Sequence, residues 1–122
     1  MPKELEIAVV DDDESFRLSL VESLCSFGYA ADGYPSAEDY IGAIADKSFD
    51  CVVTDIHMRG MSGLELMRRL AARGLTTKVV LVTANADISL GVKATTAGAV
   101  CLLIKPFEIS DLIKCIERAV KN

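Results

Sequence analysis

Tryptophan is absent from this chain, histidine occurs once and proline three times. With His57 the sole imidazole, a histidine-built zinc site or a Ser-His-Asp triad has almost no material to draw on. Positive charge is also short: 13 Lys and Arg stand against 18 Asp and Glu, a formal net charge of -5. A basic surface for nucleic acid is therefore not expected. Apolar runs such as Val79 to Val82 and Val100 to Ile104 fall far below the roughly 18 residues needed to cross a bilayer. The opening residues, Met1-Pro2-Lys3-Glu4-Leu5-Glu6, carry acids where an export signal has an apolar core, so a cytoplasmic location away from membranes is expected. Four cysteines, Cys25, Cys51, Cys101 and Cys115, make no C-x-x-C and no Cys/His pair; they read as small apolar core residues in a reducing compartment. What is present, 122 residues of which 51% are hydrophobic and 25% charged, suits one globular domain. Its chemistry must come from carboxylates, hydroxyls or lysines.

The hydrophobic pattern alternates between two periods. Ile7-Ala8-Val9-Val10 is a continuous apolar run of the kind that forms a strand buried on both faces, and it stops at Asp11. Phe16, Leu20, Leu24 and Phe27 then recur at helical spacing until Gly28. The same strand-then-helix succession follows four more times. Strands are predicted at residues 29–33, 49–54, 79–82 and 100–104. The helices between and after them carry Ala37, Tyr40, Ile41 and Ile44 behind a capping Ser36; Leu64, Met67, Leu70 and Ala71; Ile88, Val92 and Ala97; and Ile109, Leu112, Ile113, Ile116 and Val120. Five strands alternating with five helices predict one doubly wound α/β domain, a parallel sheet with helices on both faces.

Four of the five strands end at a reactive type of residue: Asp11 and Asp12, Asp55, Thr83, and Lys105. In an open parallel sheet these ends share one edge, where ligand sites lie. Asp13 and Glu14 are set apart as helix-capping and dipole-complementing acids. Three carboxylates brought together repel by about 4 kcal/mol per pair at an effective dielectric of ~20, so a cation is required among them. Oxygen donors without thiolate or imidazole favour Mg²⁺ or Mn²⁺. With such an ion in place, one carboxylate can act as nucleophile toward a phosphoryl group, and Lys105 and Thr83 suit its oxygens.

The segments Val9-Val10-Asp11-Asp12-Asp13, Phe49-Asp50-Cys51-Val52-Val53-Thr54-Asp55 with Gly60-Met61-Ser62-Gly63, Val82-Thr83-Ala84 and Lys105-Pro106-Phe107 resemble the receiver domain of two-component response regulators over essentially the whole chain. Ala97-Gly98-Ala99 and Lys105-Pro106-Phe107-Glu108 look like the nitrogen-fixation and nitrogen-regulation branches. The resemblance implies a flavodoxin-like strand order 2-1-3-4-5 and a domain spanning residues 1–122, either free-standing or the N-terminal part of a longer regulator. It implies that Asp55 accepts a phosphoryl group from a sensor histidine kinase. Asp11, Asp12, Asp55 and the backbone carbonyl of His57 would hold Mg²⁺, Lys105 would pair with phosphoryl oxygens, and the bond before Pro106 would be cis. No turnover of an external substrate is implied. Thr83 would act as the switch hydroxyl, while His57 and Asn85 would flank the path of attacking water. The first-helix face near Ser15, Leu18, Ser19 and Glu22 would dock the kinase. The face of the fourth helix, fifth strand and fifth helix, with Ile88, Val92, Leu102, Ile113 and Glu117, would dimerise or hold an output module, one expected to control transcription. Leu102 departs from the aromatic residue the family usually carries there.

Two rivals stand beside this reading. Asp11-Asp12-Asp13-Glu14-Ser15 also fits the D-x-D-x-[TS] pattern of haloacid-dehalogenase-type phosphohydrolases, with Asp11 as nucleophile, although 122 residues leave no cap. A pseudo-receiver would keep the fold and dispense with phosphate. A flavin site lacks a phosphate-cradling loop after the first strand.

Overall fold

Strands buried on both faces and helices with one apolar stripe are satisfied together by a three-layer arrangement, a sheet between two helical layers. In the computed structural model, which describes residues 4–85 and 87–121 apart from the side chains of Ile88, Leu90 and Lys121, the chain runs β1 (Glu6–Val10), α1 (Glu14–Ser26), β2 (Ala30–Tyr34), α2 (Ala37–Ala43), β3 (Cys51–Asp55), α3 (Gly63–Ala72), β4 (Lys78–Thr83), α4 (Ile88–Ala97), β5 (Cys101–Ile104) and α5 (Ile109–Lys121). The five strands form one sheet in the order β2-β1-β3-β4-β5, and every neighbouring pair is parallel. No helix among the described residues is long and apolar enough to cross a membrane.

Alternate residues of the central strands feed two cores. Ala8, Val10, Val52 and Leu81 face the side covered by α2, α3 and α4, where Tyr40, Leu66 and Leu70 join them. Ile7, Val9, Val53, Val80 and Val82 face α1 and α5 and meet Leu20, Leu24, Leu112 and Ile116. Each fully buried Leu or Ile adds about 1.5–3 kcal/mol over an exposed one. This burial fixes the register that aligns the strand ends: Val10 pairs with Thr54, Asp55 with Val82, and Thr83 with Ile104.

The caps follow the residue chemistry. Asp13, Ser36, Ser62 and Asp87 each accept a backbone N–H from the first turn of the helix they precede. Gly63 is required by proximity, since a Cβ there would stand 2.4 Å from the backbone oxygen of Asp55.

Two expectations are corrected. Phe27 does not share the buried face of α1: the helix ends at Ser26, Gly28 turns the chain at φ 94°, and Phe27 is left 57% exposed. The cysteines are not four independent core thiols. Cys25 is exposed beside the buried stripe of α1, and only Cys51 is a buried free thiol, its pKa pushed up to about 12 by burial. Cys101 and Cys115 are joined in a disulfide, because α5 packs back across β5 and brings residues 14 apart in sequence to a Cα–Cα distance of 6.1 Å.

Candidate functional site

The ends of β1, β3 and β5 bring three charged side chains together. Lys105 Nζ lies 3.0 Å from Asp11 Oδ2 and 3.1 Å from Asp55 Oδ2, donating to both. Asp11 and Asp55 are buried, and the Lys105 side chain is 20% exposed. The remaining carboxylate oxygens are held by the backbone: Asp11 Oδ1 accepts the Asp13 N–H at 2.9 Å, and Asp55 Oδ1 accepts the His57 N–H at 3.2 Å. Burial raises the pKa of Asp11, opposed in part by the Asp13 amide and the Lys105 ammonium. Burial works against the charge of Lys105, but its hydrogen bonds to Asp11 and Asp55 outweigh it and raise the pKa. The Lys105–Pro106 peptide is cis.

The other two strand-end residues stand apart from this triad. Asp12 turns toward the β3–α3 loop, where its Oδ2 accepts the Arg59 N–H at 3.0 Å and lies 3.6 Å from Arg59 Nε. Thr83, fully buried at the end of β4, accepts the Asn85 N–H on its hydroxyl oxygen at 3.1 Å. The His57 side chain is exposed. The cation that the acidic cluster requires is thus supplied by the chain itself, Lys105 for Asp11 and Asp55, and Arg59 for Asp12. Among the described residues, no three carboxylate, thiol or imidazole groups stand close enough together to hold a metal. The donors are nonetheless all oxygens, which suits Mg²⁺ or Mn²⁺ in kind. Asp12 would have to exchange Arg59 for the ion.

Several supporting residues carry no separate mark in the sequence. Arg17 Nη1 donates to the Asp11 carbonyl at 2.8 Å. Glu38, on α2, accepts the Met61 N–H at 3.2 Å and so ties down the loop that follows Asp55. Phe16 fits the apolar periodicity of α1 and does pack on that core, yet its ring centroid also lies 4.0 Å from Lys105 Nζ. Arg59 could have been suspected as a cation four residues beyond Asp55, whereas the Phe16 contact depends on a residue 89 positions away in the chain.

The expected output face is only partly covered. Val92 is 62% exposed and Ile104 45% exposed, and Leu102 is half-buried against the α2–α3–α4 core. The side chain of Ile88, also expected there, lies outside the described residues. On α1, Ser15, Leu18, Ser19 and Glu22 are exposed.

Comparison with known proteins adds to this geometry. The family profile for the response regulator receiver domain matches residues 7–117. The chain is 38% identical over 120 residues to the transcriptional regulatory protein FixJ of Azorhizobium caulinodans, covering 98% of this chain and 57% of that one. It is 34% identical over 114 residues to the DNA-binding transcriptional regulator NtrC of Salmonella typhimurium, covering 93% of this chain and 24% of NtrC. It also superposes on the crystal structure of FixJ-N with a TM-score of 0.91 at 35% identity, covering 99% of this chain and 97% of that one.

Proposed function

The chain belongs to the response regulator receiver family, and from that premise we propose that Asp55 is the acceptor of a phosphoryl group delivered by a sensor histidine kinase. The observation that carries this reading is the single ammonium of Lys105 between the buried carboxylates of Asp11 and Asp55. An Asp55 oxygen forms the new P–O bond as the P–N bond of the kinase phosphohistidine breaks, and the imidazole leaves with the electron pair. Lys105 is already within reach of Asp55 and follows the developing phosphoryl oxygens with little reorganisation. Asp11, Asp12, Asp55 and the His57 carbonyl would hold Mg²⁺ or Mn²⁺ once Asp12 had exchanged Arg59 for the ion, and the ion would supply charge neutralisation for the phosphoryl oxygens. His57 and Asn85 flank the approach of water for the later hydrolysis.

Thr83 converts this local event into a change of surface. Its hydroxyl accepts from Asn85 and keeps its own proton to donate. Turning that proton toward a phosphoryl oxygen shifts the segment that leads through the capping Asp87 into α4. Leu102 offers packing, without a ring or hydroxyl, as the link to the α4–β5–α5 face. That face then forms a homodimer or engages an output module. Since the chain spans only 57% of FixJ and 24% of NtrC, we take residues 1–122 as the receiver part of such a regulator. Transcriptional control by the whole, and a cytoplasmic setting, belong to this proposal.

Intact mass after incubation with Mg²⁺ and a small acyl phosphate tests the assignment. One phosphoryl adduct is expected on the wild type and none on Asp55→Asn. No adduct on the wild type, with the donor or with a histidine kinase, would leave a phosphate-independent receiver. An adduct lost in Asp11→Asn but kept in Asp55→Asn would assign the nucleophile to Asp11.

A further inference from the structure

We propose that Phe16 is a positioning residue for Lys105, its ring face holding the ammonium in line with Asp11 and Asp55 and so coupling the first turn of α1 to phosphoryl transfer; this rests on the receiver reading above. Lys105 Nζ stands 4.0 Å from the Phe16 ring centroid while it donates to Asp11 Oδ2 at 3.0 Å and to Asp55 Oδ2 at 3.1 Å. Two carboxylates and one aromatic face therefore surround a single ammonium. The three contacts differ in what they ask of it. A carboxylate neutralises the charge and occupies an N–H, whereas the negative face of a ring attracts the cation and leaves its donors free for an arriving anion.

Phe16 is itself anchored at its backbone and at its ring. Its backbone N–H is accepted by the capping Asp13 at 3.2 Å. Its ring meets that of Phe107 in a T-shaped contact, at a centroid distance of 6.0 Å and an interplanar angle of 78°. Phe107 lies two residues beyond Lys105, so α1 and the β5–α5 segment grip each other through the aromatic pair and the lysine at once. The next residue of α1, Arg17, binds the Asp11 carbonyl at 2.8 Å. One helical turn thus touches both a carboxylate-bearing strand end and the ammonium that serves it. A lysine side chain has many rotamers, and a face that restricts them lowers the ordering cost of the transfer step.

The same turn of α1 carries the exposed Ser15, and one turn further on stand the exposed Leu18 and Ser19. A partner seated on that face meets the helix whose inner side fixes Lys105. This gives docking a direct mechanical route to the site without passing through α4.

Replacing Phe16 by mono-, di- and trifluorinated phenylalanines drains the ring face of negative potential with little change of shape, so it separates electrostatic holding from packing. The rate of Mg²⁺-dependent phosphorylation by a small acyl phosphate is expected to fall stepwise with fluorine content, to about one tenth for the most fluorinated ring. Phe16→Tyr should keep the rate, and Phe16→Leu should lose it to a similar extent as the trifluorinated ring. Proton NMR reads the contact separately: the Lys105 ε-methylene should be shifted upfield by the ring current in the wild type and relaxed in Phe16→Leu. A flat rate across the fluorinated series, with thermal midpoints unchanged, would overturn the positioning role. An unshifted ε-methylene in the wild type would overturn the contact itself. A wild type that shows the upfield shift yet takes no phosphoryl group from either the acyl phosphate or a kinase would overturn the receiver reading and the role built on it, leaving the contact intact.

Discussion

The middle of the sheet and its β5 edge are built to different standards. All five residues of β3 and four of the five in β1 are buried, and α3 begins so close to β3 that Gly63 has no room for a side chain. At the edge, no residue of β5 is fully buried, and Ala94 is the one buried side chain among those described on α4. The carboxylates stand on the tightly packed part, while the face proposed to change on phosphorylation lies on the lightly packed part. Groups that must hold sub-ångström geometry need surroundings that resist displacement. A surface that must exist in two arrangements needs a small free-energy gap, and few buried contacts supply one.

The widest test of this contrast is Gly63→Ala. Its new methyl meets the Asp55 carbonyl, and a loss of about 4 kcal/mol in urea unfolding is expected; a loss under about 1 kcal/mol would show that the centre yields as readily as the edge. Leu81 and Leu102 sharpen the comparison because they are register partners on adjacent strands, one fully buried and one half-buried. Leu81→Ala should cost about 3 kcal/mol and Leu102→Ala about 1 kcal/mol by the same measurement. Equal costs would erase the distinction.

Asp11 gives a smaller, pH-dependent effect. Burial raises its folded-state pKa, so the folded chain binds that proton more tightly than the unfolded chain does. Stability from this group is present below the ordinary carboxylate pKa of about 4 and is lost as pH rises through the folded value. Asp11→Asn, measured by thermal unfolding in EDTA, should therefore be more stable than wild type at neutral pH, with the gain fading at about pH 3.5. A gain that is the same at both pH values would remove titration as its cause. At the edge, Val92→Ser should change stability by no more than about 0.5 kcal/mol, since the side chain is 62% exposed and the two residues have similar helix propensities.

The contrast also separates what was legible in the sequence from what was not. Continuous apolar runs announced β1, β3 and β4 because those strands are buried on both faces, and the residue at which each run stopped marked the sheet edge that carries the candidate site. Asp11, Asp55 and Lys105 meet there because the parallel topology, with the register that core burial sets, aligns the strand ends. The disulfide between Cys101 and Cys115 and the ring of Phe16 over Lys105 depend on how α5 and α1 dock, which hydrophobic periodicity does not encode. Asp12 turns away because an exposed guanidinium and a loop amide compete for it, a choice made by side-chain torsions and loop conformation. Phe27 was misplaced because the helix stopped one residue before it, at a boundary set by backbone geometry.

The parallel topology has a consequence for the life of the chain before it is finished. Lys105 and Asp11 are 94 residues apart, and Lys105 and Asp55 are 50 apart. A nascent chain that has released only β1 through β4 from the ribosome carries both carboxylates but not yet the ammonium that balances them, so their charges are compensated only once the segment after β5 is in place. Neutralisation of the two buried carboxylates is thereby tied to completion of the domain.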